Sequence, residues 1–505
     1  MNFALCNKCR QTVPVENQRR GNRVYLVKKC VSCGDTETLI SNDAEAYYRK
    51  RAFVGDRTYP TCKLDCTVCN HIVPNIAFIE LTNRCNMNCP ICITNVPSMG
   101  FEFEPGMEYF RTLFETLAKL DPKPSLQLFG GEPTVREDLF EIIRLARSHD
   151  LSVRVVTNGL KLADPEYCER LMAEDVSILI SFDGFDRKVY EKFRGSGHYL
   201  DLKVRALENL AKGKRGKVIL MTVASREQDP SELKRLFEYC MKTPRLSRGI
   251  FLMPLAHMWS PDRLDYSPER TTPEDVERMV GEAVGGEVEF VPLGSLETDT
   301  LNRVLKLKSM PFVGVHPNCE SLTLLISDGE RYLSANTFLK RGFAAAVADL
   351  RALAGALEKT REGFSRKRKA WCGLARLVLR HFDFGAAVGR KGLGAFLAWA
   401  GIFARMALGR KPKLVLRERT RLKGLLQIIV LPFEDYDTTE GTRLRMCKSC
   451  FAFPEGKNGP VRYIPVCAWE RHKAEVMRRV AETFNKPGFT KGLSGEKNER
   501  VAENV

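Results

Sequence analysis

The residues best placed to do chemistry are three cysteines in the run Cys85-Asn-Met-Asn-Cys89-Pro-Ile-Cys92. Spacings of three residues and then two put three thiolates on one tight loop. There they can hold three corners of a cubic [4Fe–4S] cluster and leave the fourth iron without a protein ligand. An open iron can chelate a small molecule through an amine and a carboxylate. S-adenosylmethionine (SAM) carries both, and one electron passed to its sulfonium releases a 5′-deoxyadenosyl radical. The competing reading is a structural zinc knuckle, which wants a fourth Cys or His close by. Residues 93–99, Ile-Thr-Asn-Val-Pro-Ser-Met, supply none.

The chain carries 17 cysteines, many of them in short-spaced runs. The opening Met1-Asn-Phe-Ala-Leu-Cys6 does not read as a secretion signal. Metal in a reducing cytoplasm is therefore expected rather than disulfides. Cys6 and Cys9, followed by Cys30 and Cys33, make two knuckles about twenty residues apart, the pattern of a tetrahedral four-sulfur site. Zinc would give a structural ribbon and iron a rubredoxin-like centre; the physics favours zinc. Cys62, Cys66 and Cys69 repeat the central spacing and suggest an auxiliary cluster, with a second zinc knuckle as the alternative. Cys319, after His316-Pro-Asn, is either a buried thiol or a distant cluster ligand. Cys447, Cys450 and Cys467 suit a further cluster. These seven thiols fall one short of the eight that two fully ligated cubanes need. The gap leaves room for an open iron, for a ligand such as His316, or for Cys168, Cys240 or Cys372.

From residue 76 the pattern alternates strand and helix. Strands are expected at 76–82, 125–129, 152–157, 177–182, 218–224 and 249–254, and helices at 106–120, 137–149 and 231–242. In the second helix Leu139, Ile142, Ile143 and Leu145 recur at helical spacing. Six strands, each followed by a helix, imply parallel pairing through right-handed crossovers, an open (β/α)6 partial barrel of the α/β class. Chemistry in such barrels sits at the carboxyl ends of the strands. Those ends carry Gly130-Gly131-Glu132-Pro133-Thr134, Thr157-Asn158-Gly159 and Ser181-Phe182-Asp183-Gly184. The paired glycines let a backbone approach a ligand and Glu132 offers an acceptor, although a turn alone also explains Gly-Gly and Pro. Ser181 and Asp183 suit ribose hydroxyls or a carboxylate, or equally a helix cap. Arg194 and Met253-Pro254 are weaker candidates. A further helix is expected at 272–284 and a strand at 322–327.

The length of 505 residues allows two or three domains. The expected divisions are a four-Cys ribbon at 1–40, an auxiliary cluster segment at 41–75 and the barrel at 76–290. A β-rich extension at 291–343, a basic helical segment at 344–431, a second auxiliary cluster segment at 432–475 and a polar, fraying tail at 476–505 follow. The net charge of +17 favours phosphate partners, either nucleic acid or anionic lipid heads. The excess concentrates at 361–368 and 405–423. Residues 392–408 form an apolar block interrupted by Arg405 and flanked by Arg390, Lys391, Arg410, Lys411 and Lys413. The block is short of the ~20 apolar residues of a spanning helix. It suits a helix lying in the membrane interface, or an amphipathic helix packed on the body.

The Cys-x3-Cys-x2-Cys motif after a strand is the signature of the radical SAM superfamily, which this sequence resembles closely. The full order of motifs narrows the resemblance. A four-sulfur site, Thr61-Cys-x3-Cys-x2-Cys69, Glu80-Leu-Thr-Asn-Arg-Cys85, Gly130-Gly-Glu-Pro-Thr134, His316-Pro-Asn-Cys319 and Cys447-x-x-Cys450 with a late Cys467 resemble the tetraether lipid synthase group, to about residue 475. The resemblance implies that the Gly130–Thr134 segment meets the amino group of SAM. It implies one or two auxiliary [4Fe–4S] clusters, a ferredoxin- or flavodoxin-type electron donor, and carbon–carbon bond formation between lipid-tail ends with two SAM cleaved per bond. A cytoplasmic enzyme, peripheral on the inner membrane face, follows as the expected location. Pterin C-methylation, a related activity in the group, is the alternative. A nucleic-acid-binding scaffold would explain the ribbon and the charge, but not the SAM-binding features.

Overall fold

The computed structural model describes residues 1–493 except 56–57, 68, 70–72, 95–98, 214–216, 259–263, 265–266 and 308–311. The N-terminus is an antiparallel meander of β1 (Asn2–Leu5), β2 (Thr12–Arg20), β3 (Arg23–Cys30) and β4 (Gly34–Ser41). Ala4, Val15 and Leu26 make its small core. The β1–β2 turn carries Cys6 and Cys9, while Cys30 ends β3 and Cys33 lies in the β3–β4 turn. A helix follows at Ala44–Phe53, its first turn capped by the Asp43 side chain accepting from Ala46 N–H. Lys50 of this helix is buried between Glu274 and Glu277, at 2.7 and 2.6 Å, on the helix Pro273–Val284. That pairing pins the ribbon to the body, because a buried ion left without its partner is costly.

The body is built on β5 (Ile76–Glu80), β6 (Ser125–Phe129), β7 (Ser152–Thr157), β8 (Ser177–Ser181), β9 (Val218–Ala224) and β10 (Ser247–Pro254), each parallel to the next. Helices such as Leu139–Ser148 and Ser231–Lys242 lie between them, with one apolar stripe buried against the sheet. Expected and observed strand limits agree to within two residues. The (β/α)6 wall is the α/β fold that the alternation implied.

The wall is longer than expected. Later segments supply β11 (Val291–Pro292), β12 (Ser321–Ser327), β13 (Tyr332–Ser334), β14 (Gly424–Val430), β15 (Ser449–Pro454) and β16 (Val461–Pro465). The sheet runs β11-β12-β14-β10-β9-β8-β7-β6-β5-β15-β16, with β13 on β12. Strand β14 joins parallel to β10 and β15 parallel to β5, so the six-strand wall becomes eight, with antiparallel strands outside them. Among the described residues the two ends do not pair, and the sheet stays open.

Two expected divisions need correction. Residues 344–431 are not helical throughout. The run Leu425-Leu-Gln-Ile-Ile-Val430 is strand β14, flanked by β10 and β12. A short apolar run beside a helical block carries no periodicity that separates strand from helix. The tail does not fray from 476: the helix Val466–Phe484 buries Val476, Met477, Val480, Ala481 and Phe484. Their helical spacing is masked by the charges between them. Lys486 N–H then bonds Glu104 O. Residues 494–505 lie outside the described residues.

Between β13 and β14 lie the helices Phe343–Glu358, Phe364–His381, Phe384–Val388, Gly392–Ala407 and Pro412–Arg419. Few of their apolar residues are covered. Among the described residues, ten of the fifteen exposed large hydrophobic side chains fall within 364–414, including Trp371 (64% exposed), Leu393 (72%) and Phe396 (69%). Residues 361–423 hold 17 Lys and Arg against three Asp and Glu, a net +14 of the chain's +17. No helix among the described residues is long and apolar enough to cross a membrane.

Candidate active site

Strand β5 delivers the chain to the mouth of the wall, and the loop beyond it is fixed before the first cysteine arrives. Thr82 donates to Glu104 (2.8 Å), Arg84 grips the same carboxylate at two points (2.8 Å each), and Phe103 N–H bonds Asn83 Oδ1 (3.0 Å). The buried Arg136 holds the carbonyls of Leu81 and Pro105. Gly130 and Gly131 lie directly under this loop: Gly131 N–H donates to Thr82 O (2.7 Å) and Glu132 N–H to Arg84 O (2.9 Å). A Cβ on Gly131 would sit 2.2 Å from Arg84 O, and Gly130 has φ +138°. The paired glycines are therefore needed for the cysteine loop to cross at all.

Glu132 is buried. Its Oε1 accepts from Thr134 and Thr157 hydroxyls (2.6 Å each) and its Oε2 from Asn158 N–H (2.7 Å). It ties the ends of β6 and β7 together. Asn158 reaches on to Asn86 Oδ1 (2.7 Å) and toward Cys85 Sγ (3.9 Å). The segments singled out after β5, β6 and β7 thus form one connected unit around the first cysteine, with Pro133 opening a short helical turn beneath it.

The other flank comes from β8. Ser181 accepts from Lys203 Nζ at 2.7 Å through both its hydroxyl and its carbonyl. Asp183 holds Arg194 at two points, 2.7 and 3.0 Å, and takes Val223 N–H. Burial raises the Asp183 carboxyl, but Arg194 outweighs it and the group sits below its ordinary range. Burial also raises the Cys89 thiol, against the pull of Arg194 and Lys203. Lys203 itself is fully buried, which brings it down to about 8 despite Asp183. Two buried cations thus face Cys89, where thiolates and the carboxylate of a chelated ligand would gather negative charge. Cys92 Sγ lies 3.2 Å from Thr94 Oγ1, and Met87 N–H points at Cys85 Sγ (3.4 Å). Met253 is half-buried at the end of β10.

Lys203 was not singled out from the sequence, although a signal exists. It shares one buried helical stripe with Leu200 and Leu207, and a lysine on an apolar stripe wants an explanation.

The ribbon thiols behave differently. The sulfurs of Cys6, Cys9, Cys30 and Cys33 all lie within 4.8 Å of one another, with Cys9 to Cys30 at 3.7 Å. Tetrahedral bonds of about 2.3 Å to one ion place sulfurs about 3.8 Å apart. Among the described residues this is the one set of three or more such ligands at that spacing. Cys85, Cys89 and Cys92 do not share it, which argues against a single-ion knuckle and suits a cubane that seats each thiolate on its own iron.

Of the seven thiols expected at auxiliary clusters, Cys450 lies in β15 and several others contact the chain around it. Arg443 Nε donates to Cys319 Sγ (3.4 Å), Glu434 N–H points to Cys467 Sγ (3.4 Å), Cys62 Sγ contacts Gly441 O (3.5 Å) and Cys447 Sγ contacts Ser449 O (3.1 Å). Burial pushes Cys66 up to about 12, with Cys62 and Cys69 adding to it, and Cys66 in turn acts on Cys450. Cys69 is half-buried.

Residues 79–240 match the family model of the radical SAM superfamily, and residues 3–42 that of the HMPTM N-terminal zinc ribbon domain. A 7,8-dihydro-6-hydroxymethylpterin dimethyltransferase of Methanocaldococcus jannaschii is 31% identical over 362 residues, 67% of this chain and 71% of the relative. The chain belongs to the radical SAM superfamily. An AdoMet-dependent heme synthase of Methanosarcina barkeri is 32% identical over 209 residues, 41% of this chain and 57% of that enzyme. Methylornithine synthase, a solved structure, overlays 46% of this chain and 68% of its own at 14% identity and a TM-score of 0.32, too loose to build on. As a radical SAM enzyme the chain uses a [4Fe–4S] cluster and SAM, and its N-terminal ribbon is a zinc-ribbon domain.

Proposed function

We propose that this radical SAM enzyme joins lipid tails by forming a bond between two unactivated sp3 carbons. The observation that carries the reading is the basic helical unit at 343–423, where large apolar side chains between Phe364 and Leu414 stand exposed among most of the chain's net positive charge. Uncovered apolar area of this extent marks an interaction surface. Basic apolar helices too short to span suit the boundary of an anionic bilayer. The peripheral membrane location follows from the same helices.

When bound, the cluster and SAM supply a 5′-deoxyadenosyl radical that takes one hydrogen atom from carbon. Arg194 and Lys203 offset negative charge at Cys89. Glu132 and Arg136 keep the cysteine loop rigid, so a ligand meets a site already formed. Joining two tails removes two hydrogens, consumes two SAM and two electrons from a ferredoxin- or flavodoxin-type donor, and releases two methionines and two 5′-deoxyadenosines. The auxiliary thiols beside β15 would hold one or two further clusters.

The Methanocaldococcus jannaschii relative, a 7,8-dihydro-6-hydroxymethylpterin dimethyltransferase, favours a second reading, C-methylation of a pterin, and by likeness alone that reading has the better support. Anaerobic incubation with SAM, dithionite and either substrate separates the two. The lipid reading expects a coupled product two hydrogens lighter than its two precursors, with two 5′-deoxyadenosines per bond. A pterin heavier by one methylene per methyl, with no lipid product, would replace it.

A further inference from the structure

The seven auxiliary thiols leave one ligand position unassigned, and the structure narrows the choice. Cys168 is buried on the helix Pro165–Ala173 and Cys240 on Ser231–Lys242, both within the barrel's apolar core, while Cys372 is exposed on Phe364–His381. His316 is engaged: its Nδ1 accepts from Asn318 N–H (3.3 Å), its Nε2 faces Arg51 (3.5 Å) and its ring packs on Tyr59 (4.7 Å between centroids).

Glu434 remains, and it is only 2% exposed. Its Oε1 lies 2.9 Å from Arg443 Nη1 but off the N–H directions, so it accepts no hydrogen bond. Its own N–H points to Cys467 Sγ, and its partner Arg443 donates to Cys319 Sγ. Its charge acts on Cys62 as well as on Cys319 and Cys467. The Glu434–Arg443 pair therefore links the surroundings of Cys319 and Cys467, with one carboxylate oxygen accepting no hydrogen bond. Arg443 supplies the partner that a buried carboxylate needs, and the spare lone pair leaves it able to bind metal as well.

We infer that Glu434 is the eighth ligand of the auxiliary iron–sulfur sites, its carboxylate standing where a thiolate is missing. The inference rests on the reading that the seven thiols hold two cubanes. Glu320 is the rival, since its Oε2 is also unpartnered. Its charge acts on Cys319 and Cys447, but among the described residues no ion-pair partner of its side chain reaches a thiol as Arg443 does for Glu434.

The test uses full-length protein carrying Cys85→Ala, Cys89→Ala and Cys92→Ala, so that the SAM-binding iron does not interfere, with cyanide as a probe for an open iron. The parent should hold about eight irons outside the ribbon, and its reduced EPR spectrum should ignore cyanide. Adding Glu434→Ala should make the spectrum respond to cyanide or remove one cubane. Glu434→Cys should keep the irons and stay silent, and Glu320→Ala should match the parent. A parent that already responds to cyanide overturns the assignment. So does an inert Glu434→Ala with all its iron, or a Glu434→Cys that loses iron as Glu434→Ala does. A parent without auxiliary iron overturns it too, and places the failure in the underlying reading.

Discussion

The ribbon and the barrel mouth use the same side chain for opposite ends. In the ribbon four sulfurs converge within 4.8 Å at two turns of a small sheet, with Val13 packed against them. At the mouth three sulfurs stay apart on one loop, and the loop is held from outside by Arg84, Arg136, Glu132 and the glycines beneath it. The first arrangement saturates one ion and ends there. The second is what we read as the seat of a cluster with one open iron, backed by buried Arg194 and Lys203. Thiol count alone does not separate them; the spacing of the sulfurs and the charge of their surroundings do.

Paired substitutions break this comparison most sharply. Cys89→Ala should abolish 5′-deoxyadenosine formation, a fall of more than about 100-fold, since changing even a ligand's supporting partner costs about 10–100-fold. Cys9→Ser should cost bound ribbon metal and leave SAM cleavage largely intact. Equal losses of cleavage in the two variants would erase the distinction. Gly131→Ala comes next. Its Cβ would meet Arg84 O at 2.2 Å, so the cysteine loop must move, and anaerobic iron content at the mouth should drop with cleavage. Asp183→Asn leaves Arg194 buried and unpaired. A fall of about 10–100-fold in cleavage and a lower melting temperature are expected, with ribbon metal unchanged.

The smallest effect concerns support rather than chemistry. Burial raises Asp138, but Arg136 and Lys486 outweigh it and hold it below its ordinary range. A carboxylate depressed in the fold contributes stability that is present above its unfolded value of about 4. That stability is lost as pH falls through the lower folded value. The melting-temperature gap between wild type and Asp138→Asn should thus be full at pH 7 and close progressively below about pH 4. A gap that stays constant with pH would remove Asp138 from this role.

Much of the mouth was legible in sequence because its determinants are local. The 3,2 cysteine spacing, the paired glycines after a strand and the strand–helix alternation each sit within a dozen residues. What escaped depends on long-range placement. Strand β14 is apolar and short, and only its neighbours β10 and β12 make it a strand. Phe484 and Val480 belong to the core because the helix Val466–Phe484 packs on the sheet, not because their surroundings look apolar. Asp183 reads as a helix cap or a ligand contact until Arg194, eleven residues on, is seen to return to it. Glu434 has no motif at all; the thiols that it and Arg443 contact, Cys467 and Cys319, lie far apart in the chain.

The central claim is that Cys85, Cys89 and Cys92 seat a cluster with one open iron that takes SAM. Its most direct test is the EPR spectrum of anaerobically purified, reduced protein as SAM is added, with 5′-deoxyadenosine measured in the same samples. A cluster signal that shifts with SAM, vanishes in Cys89→Ala and accompanies 5′-deoxyadenosine release is expected. A spectrum indifferent to SAM, with a single diamagnetic ion on the three thiols, would contradict the account.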